Sequence, residues 1–263
     1  MAIDSVSPEV MGNTAGWVRD YVRLYFRPRT PTQYRWEGIR PRAEIYHGTA
    51  HCPVPVFFLF DSGEVLTLRD CRFSSGNLGV SGPQVGDTAE FLRDLDFRKI
   101  YSVGPHDPAD RSIRLSRNAE VIVKDELPLH GLQRIVAWTP AERQTLLSLL
   151  DAPTRSKWER KIVIDGRSDL FERKWTFIER ATLSADAATL HFSPDSLTPG
   201  PFGLHVDLQD LGSSKAYSYD EDAFFSTPEW SLAVPDQVWS YRLRVLLDDH
   251  LAYRGDYFGD LPF

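Results

Sequence analysis

The chain has 263 residues, of which 42 % are apolar and 25 % are charged, as in ordinary folded proteins. Its two cysteines do not form a CxxC pair, which supports neither a disulfide framework nor a zinc site. A net charge of −7 argues against a general nucleic-acid binder. Residues 1–16 lack a signal peptide pattern, and no apolar run reaches the ~20 residues of a membrane span, so we expect a cytoplasmic protein.

The basic charge is concentrated in one segment. Residues 17–42 contain seven arginines against Asp20 and Glu37, a net of +5, which leaves −12 for the rest of the chain. A polyanion site requires basic charge that is local in this way.

The first predicted strand is YVRLYF (21–26), and it enters a proline-rich loop. In RPRTP, Pro28 and Pro31 stiffen the turn that carries Arg29. Arginine binds phosphate through a bidentate fork, and aromatic rings stack on bases or on nicotinamide and adenine. The segment therefore favours a site for a polyanion with rings, with a solvated edge strand as the alternative.

The next elements are a strand, a loop and a helix. VPVFFLF (54–60) has the continuous apolar pattern of a strand buried on both faces, and residues 73–87 are rich in Gly and Ser. We expect a helix capped by Asp87 with Glu90. His47 and His51 resemble a metal pair, but no third ligand has suitable spacing, so no metal site is predicted.

Glu120 opens the apolar strand AEVIV (119–123), directly after Arg114 and Arg117. Carboxylates are poor strand formers, so we expect these two arginines to hold it. A carboxylate beside a cationic pocket can stabilise a positively charged sugar centre or accept a hydroxyl proton. A salt-bridged strand terminus is the alternative.

The rest of the chain changes from mixed to strand-rich. RIVAW (134–138) predicts a strand, and Thr139 with Glu142 predicts a capping box at the start of a helix. We interpret 151–158 as a linker and 219–225 as a solvated loop. Short alternating segments beyond 160 favour a β-sandwich: 175–179, 189–192, 202–208, 239–247 and 250–258. The prediction is an α+β domain at 1–155 and a mostly β accessory domain at 160–263.

Several motifs occur together in this order: DYVRLYFRPRTPTQY, CPVPVFFLFD, RFSSGNLG, RNAEVIV and TPAERQTLLSLL. From about residue 17 to 150 the chain resembles the DarT family of nucleic-acid ADP-ribosyltransferases. The resemblance implies a split pair of small sheets that grip NAD, used as co-substrate. It also implies transfer of ADP-ribose to a base in single-stranded DNA, by the toxin of a toxin–antitoxin or phage-defence system whose antitoxin contains a macrodomain.

The resemblance also implies site residues. The catalytic arginine of the family falls on Arg29, its catalytic glutamate on Glu120, and an arginine that contacts nucleic acid on Arg114. We predict that NAD binds at Tyr25, Thr30 and Tyr34. We predict that nucleic acid binds at Arg27, Asn77, Arg114 and Arg117.

One element of the family is missing from its usual place. The family opens with a Y-H-x-T-like element before the arginine segment, whereas residues 1–16 contain no histidine. YHGT occurs at 46–49, after that segment, and its position favours a coincidental match. Two further functions stay open. One is a degenerate DarT-like module that binds single-stranded nucleic acid without chemistry, and the other is an interaction protein whose β-rich C-terminal half is the working part.

Overall fold

The computed structural model describes residues 14–45, 51–107, 109–164 and 169–259. Within them no helix is both long enough and apolar enough to cross a membrane. The described α-helices are short: α1 Pro31–Trp36, α2 Ser62–Leu66, α3 Ala89–Asp94, α4 Phe97–Ile100, α5 Arg111–Ser116, α6 Pro140–Leu149 and α7 Ala152–Trp158. Turns of 3₁₀ helix occupy Gly16–Asp20, Arg42–Glu44, Leu129–Gly131 and Glu159–Lys161.

The first sheet is antiparallel and has the spatial order β1-β5-β3-β4. Its strands are β1 Tyr21–Tyr25, β3 Cys71–Ser74, β4 Val85–Gly86 and β5 Glu120–Lys124. Val121 and Val123 face a core shared with α2, α3 and α4, while Ile122 packs on the other face against Val18 and Leu78. A strand buried on both faces is thus present, and it is β5.

The second sheet has the order β2-β6-β7, with β6 and β7 parallel. Its strands are β2 Val56–Phe60, β6 Leu132–Ala137 and β7 Ile162–Ile164. The prediction that residues 54–60 are buried on both faces is wrong, because Phe58 is 49 % exposed. β2 is an edge strand of its sheet, as β1 is of the first.

Two predicted helix caps and one predicted linker fall at the starts of helices. The capping box of Thr139 with Glu142 is confirmed at the start of α6. The cap of α3 is Thr88 rather than Asp87, and its hydroxyl accepts from the amide of Phe91. The predicted linker 151–158 is wrong, because Asp151 caps α7 there and a proline is tolerated in a first helical turn.

The remaining strands form two antiparallel sheets, β11-β10-β13-β14 and β12-β9-β8. The strands are β8 Ile178–Leu183, β9 Ala187–Phe192, β10 Phe202–Asp210, β11 Ala216–Phe224, β12 Trp230–Ala233, β13 Ser240–Leu247 and β14 His250–Phe258. Both sheets contribute to one apolar core, as expected for a sandwich. The strand predicted at 175–179 begins only at Ile178, and residues 219–225 are not a loop, because most of them belong to the edge strand β11.

The sandwich core also contains Ile39 and Ala141, from the first half of the chain. Helix α6 packs against β8 and β14, and the hydroxyl of Thr145 accepts a hydrogen bond from the amide of Arg254. The α+β class is thus confirmed. The division into two domains at 155–160 stays a prediction, because packing is continuous across it.

Candidate active site

Glu120 is the first residue of β5 and is 0 % exposed. Arg23 on β1 grips it with both arms of its guanidinium, Nε to Oε2 at 2.5 Å and Nη2 to Oε1 at 2.6 Å. The amide of Leu78 donates to Oε1 at 3.1 Å, and the amide of Glu120 donates to the hydroxyl of Ser74. A buried charge is tolerated where it is paired and hydrogen-bonded in this way.

The expectation that Arg114 and Arg117 hold Glu120 is wrong. Arg117 instead faces residues 102–106, where it donates to the carbonyl of Gly104 at 2.8 Å and to the hydroxyl of Ser102 at 3.1 Å. Arg114 lies in α5, where its carbonyl accepts from the side chain of Asn118. The difference arises because Arg114 and Arg117 are engaged by α5 and by residues 102–106, whereas Arg23 reaches Glu120 across the paired strands β1 and β5.

Tyr25 lies directly opposite Glu120 in the register of β1 and β5. Although 39 % of the residue is exposed, burial of its hydroxyl, and next the Glu120 carboxylate, raise the pKa of Tyr25 to about 12. A hydroxyl with such a pKa stays protonated at neutral pH and acts as a hydrogen-bond donor. Since side chains alternate along a strand, Arg23 and Tyr25 lie on the same face of β1.

Arg29 has a φ of 52°, in the left-handed region that non-glycine residues rarely adopt. Its amide donates to the side chain of Gln33 at 2.6 Å, and its Nε donates to the carbonyl of Phe171 at 2.9 Å. Its Nη2 pairs with Asp169 at 3.1 Å. Backbone strain that the surroundings hold in place is often found at functional sites.

Thr30 has a structural task. It caps α1, and its hydroxyl accepts from the amide of Gln33 at 3.0 Å. The same residue lines both of the cavities described next, which places it on the wall between them.

A large cleft of about 920 Å³ separates the edge strands β1 and β2. Arg23, Tyr25 and Arg27 line one wall, and residues 55–60 line the other. Arg27 donates to the carbonyls of Pro28, Ile100 and Ser102. Its guanidinium therefore holds this wall together and also gives it a positive charge.

A smaller cavity of about 320 Å³ adjoins the cleft. Its lining residues are Arg29, Thr30, Pro31, Tyr34, Arg35, Arg117 and Glu172. Tyr34 is 42 % exposed and packs edge-on against Trp175, with Nζ of Lys174 5.0 Å from the centre of its ring. An exposed ring among guanidinium groups suits the bases and phosphates of a single strand.

The predicted residues are thus divided between two neighbouring cavities. The structure brings Tyr25, Arg27 and Thr30 to the cleft, and Arg29, Thr30, Tyr34 and Arg117 to the smaller cavity. Asn77 supports the loop beside Glu120, since its Oδ1 accepts from the amide of Gly79 at 2.7 Å and lies 3.5 Å from Nη2 of Arg23.

Sequence reasoning missed Arg23, Leu78 and Ser74, the groups that hold Glu120. Arg23 had a usable signal, because it lies two residues before Tyr25 on the same face of a strand. No group of three or more metal-ligating side chains occurs in the described part of the chain. His47 and the YHGT motif at 46–49 lie outside the described residues.

Comparison with known proteins gives one family. The model of the family described as "ssDNA thymidine ADP-ribosyltransferase, DarT" matches residues 6–171. No curated protein matches the chain.

Solved structures with a similar fold are DarT from Thermus sp. 2.9. Its complex with ADP-ribosylated ssDNA has a TM-score of 0.50 and 19 % identity, over 64 % of this chain and 81 % of that one. Its complex with NAD+ has a TM-score of 0.46 and 22 % identity, over 59 % and 73 % of the two chains. At 19 % identity, the likeness to the first complex shows a similar fold and no more than that.

Proposed function

This chain belongs to the DarT family of ssDNA thymidine ADP-ribosyltransferases, and on that basis we propose that Glu120 and the cleft beside it transfer ADP-ribose from NAD to a base in single-stranded DNA. The chain is an NAD-dependent ADP-ribosyltransferase by family membership. The assignment of its residues to steps of the reaction is our proposal.

The observation that carries the proposal is the setting of Glu120. A carboxylate that is 0 % exposed and held by a guanidinium and an amide is kept in one orientation, next to Arg23 and Tyr25, which line the large cleft. A preorganised charge in a water-poor site stabilises opposite charge more strongly than the same group in water. Such a carboxylate suits a reaction that builds positive charge on a sugar.

The cleft fits NAD in size and chemistry. Its volume of about 920 Å³ lies at the upper end of the range of about 300–1,000 Å³ that is usual for ligand pockets. Its apolar wall suits the two rings of the dinucleotide, and Arg23 and Arg27 on the other wall suit its pyrophosphate. The neutral hydroxyl of Tyr25 would donate a hydrogen bond into the same space.

Bound NAD supplies the ADP-ribose and a nicotinamide leaving group. In the transfer, the ribose–nicotinamide bond breaks with its electron pair going to nicotinamide. A bond from the same ribose carbon to the base forms, and the base releases one proton. Glu120 would accept a hydrogen bond from a ribose hydroxyl and stabilise the positive charge, while the cleft walls exclude water that competes with the base.

We assign the smaller cavity to the DNA strand. Arg29 lies at its wall in a strained conformation, and Arg117 and Tyr34 complete a basic surface with an exposed ring. Thr30 lines both this cavity and the cleft, so we expect a base held here to lie near the dinucleotide. We also propose nucleic-acid contacts at Arg27, Asn77 and Arg114, of which the family resemblance implies the contact at Arg114.

The test is transfer to thymidine-containing oligonucleotides in the presence of NAD, detected as a mass shift. We expect Glu120→Gln, which keeps the shape and removes the charge, to slow transfer by about a hundredfold or more. Glu126→Gln, at an exposed position beyond the end of β5, is the matched control. Wild-type rates in the Glu120 variant, or no mass shift on any oligonucleotide, would contradict the proposal.

A second function, binding of single-stranded nucleic acid without chemistry, is favoured by the complete coverage of Glu120. Calorimetry separates the two functions, because saturable NAD binding in the absence of DNA is expected of the enzyme alone.

For the cell we propose the role of a toxin that acts in the cytoplasm, opposed by an antitoxin with a macrodomain. Residues 160–263 would be its accessory domain. Loss of viability on expression, and its absence with Glu120→Gln, tests the toxin role.

A further inference from the structure

Arg23 connects Glu120 with the cleft. It is one of the residues that line the cleft and it binds the carboxylate, whereas Glu120 lines neither cavity and has no exposed surface. A ligand in the cleft therefore meets the guanidinium before it meets the carboxylate.

The carboxylate of Glu120 is also nearly saturated with donors. A carboxylate offers about four lone-pair sites, and Arg23 and Leu78 already fill three of them, two on Oε1 and one on Oε2. The site that is left, on Oε2, is buried, because Glu120 has no exposed surface and lines neither cavity. At least one of the two hydrogen bonds from Arg23 to Glu120 must therefore break before the carboxylate can accept a hydrogen bond from a ribose hydroxyl.

Such a pair does not open without a substitute, because an unpaired charge left in a buried place is strongly unfavourable. A planar guanidinium fork fits phosphate as well as it fits carboxylate. Of the other arginines that line the cleft, Arg27 already donates to three backbone carbonyls, and Arg93 pairs with its neighbour Asp94. Arg23 is thus the cleft guanidinium whose present partner is a carboxylate that the reaction needs.

We infer that Arg23 exchanges Glu120 for the pyrophosphate of NAD, and that this exchange uncovers Glu120 for the ribose. The inference rests on the proposed function, since it takes NAD as the ligand of the cleft. The two partners of Arg23 make the site a two-state element: without dinucleotide the carboxylate is covered, and with dinucleotide it is free. Arg23 is a binding and positioning residue in this scheme, and Glu120 remains the catalytic one.

Binding of two fragments tests the exchange without any transfer reaction. ADP-ribose contains the pyrophosphate, and nicotinamide riboside contains the ribose and the nicotinamide without any phosphate. By calorimetry, Arg23→Gln should weaken ADP-ribose binding at least tenfold and leave nicotinamide riboside unchanged or bound more tightly. Arg72→Gln, which removes an arginine from β3 of the same sheet, is the matched control and should stay within twofold of wild type.

Two further variants show whether Arg23 and Glu120 compete as the exchange requires, and they separate this effect from a loss of folding. Glu120→Gln weakens the grip on Arg23, so we expect ADP-ribose to bind at least threefold more tightly. The double variant R23Q/E120Q leaves no unpaired charge, and it should show the same loss of ADP-ribose binding as Arg23→Gln. Circular dichroism confirms that each variant is folded.

The inference is overturned if ADP-ribose binds folded Arg23→Gln or the double variant within twofold of wild type. It is also overturned if Arg23→Gln loses both fragments equally, or if Glu120→Gln weakens ADP-ribose binding. A wild-type chain that binds ADP-ribose and shows this pattern, but modifies no oligonucleotide, refutes the proposed function and leaves the exchange standing. A wild-type chain that binds no ADP-ribose refutes both.

Discussion

Glu142 makes the stability of this protein depend on pH in an unusual direction. The residue is buried at the start of α6, where its Oε2 accepts from the amides of Trp138 and Thr139. Its Oε1 is buried with no hydrogen-bond partner among the described residues. Burial is the main cause that raises the pKa of Glu142 to about 8, and it outweighs the two amide hydrogen bonds.

Proton linkage determines whether the free energy of unfolding rises or falls with pH. With a pKa near 4.5 in the unfolded chain and about 8 in the folded one, the folded state binds more protons at neutral pH. Its stabilising contribution is complete below pH ~4.5 and is lost as the pH rises through ~8. Between pH 6 and pH 8, integration of this difference gives a loss of about 2 kcal/mol in the free energy of unfolding.

Glu142→Gln removes the titration and keeps an oxygen for the two amides. We expect the wild-type protein to lose about 2 kcal/mol more than this variant between pH 6 and pH 8. The measurement is urea unfolding at both pH values, and the difference of differences cancels the other titrating groups. Glu126→Gln, at an exposed position, should behave as wild type. Equal losses in the wild-type protein and in Glu142→Gln would refute the reasoning.

Two further predictions concern the backbone of Arg29 and the histidine His51. Because Arg29 has a φ of 52°, we expect Arg29→Gly to unfold with a free energy about 1–2 kcal/mol higher than that of Arg29→Ala. We expect both variants to lose transfer of ADP-ribose, since Arg29 is a proposed site residue. Equal stabilities of the two variants in urea would contradict the strain. His51 is buried against His250, and burial, followed by the charge of His250, lowers the pKa of His51 to about 4. The unfolded chain takes up this proton near pH 6.5, so stability falls as the pH drops from about 6.5 to about 4, and His51→Phe should flatten that part of a pH series of unfolding curves.

Local patterns in the sequence predicted local structure well. The capping box of Thr139 and Glu142 was readable because its two residues lie three apart and satisfy each other. The same local reasoning failed at 151–158, where Pro153 suggested a linker although it lies in the first turn of α7. It also failed at β11, whose acidic residues suggested a loop although they sit on the edge of a sheet, where charges prevent pairing with other chains.

The candidate site was predictable in part. Glu120 and Arg29 stood out as candidates because a carboxylate at the head of a buried strand and an arginine between prolines are locally unusual. The partner of Glu120 was not found, because Arg23 lies 97 positions away and meets it only through the register of β1 and β5. Register depends on the packing of the whole sheet, which a pattern within one strand does not contain.

Glu120 and Arg29 are held in place by different parts of the chain. Glu120 is fixed by β1 and by the loop at 76–79, both within the first sheet. Arg29 is fixed by Asp169 and Phe171, and Gln33 beside it by Leu170, all in the segment that leads into the β-rich strands.

The same segment continues into the sandwich through Trp175, which packs on Tyr34 of the smaller cavity. Packing continues from there through the shared core at Ile39. The β-rich strands therefore reach the groups assigned to DNA through one packed residue, Trp175, whereas no such contact connects them to Glu120 among the contacts described above. The segment 169–171 that enters the C-terminal half thus contributes to both sides of the site. The carbonyl of Phe171 orients Arg29 at the smaller cavity, whereas Leu170 and Gln33, which are hydrogen-bonded to each other, line the cleft assigned to NAD.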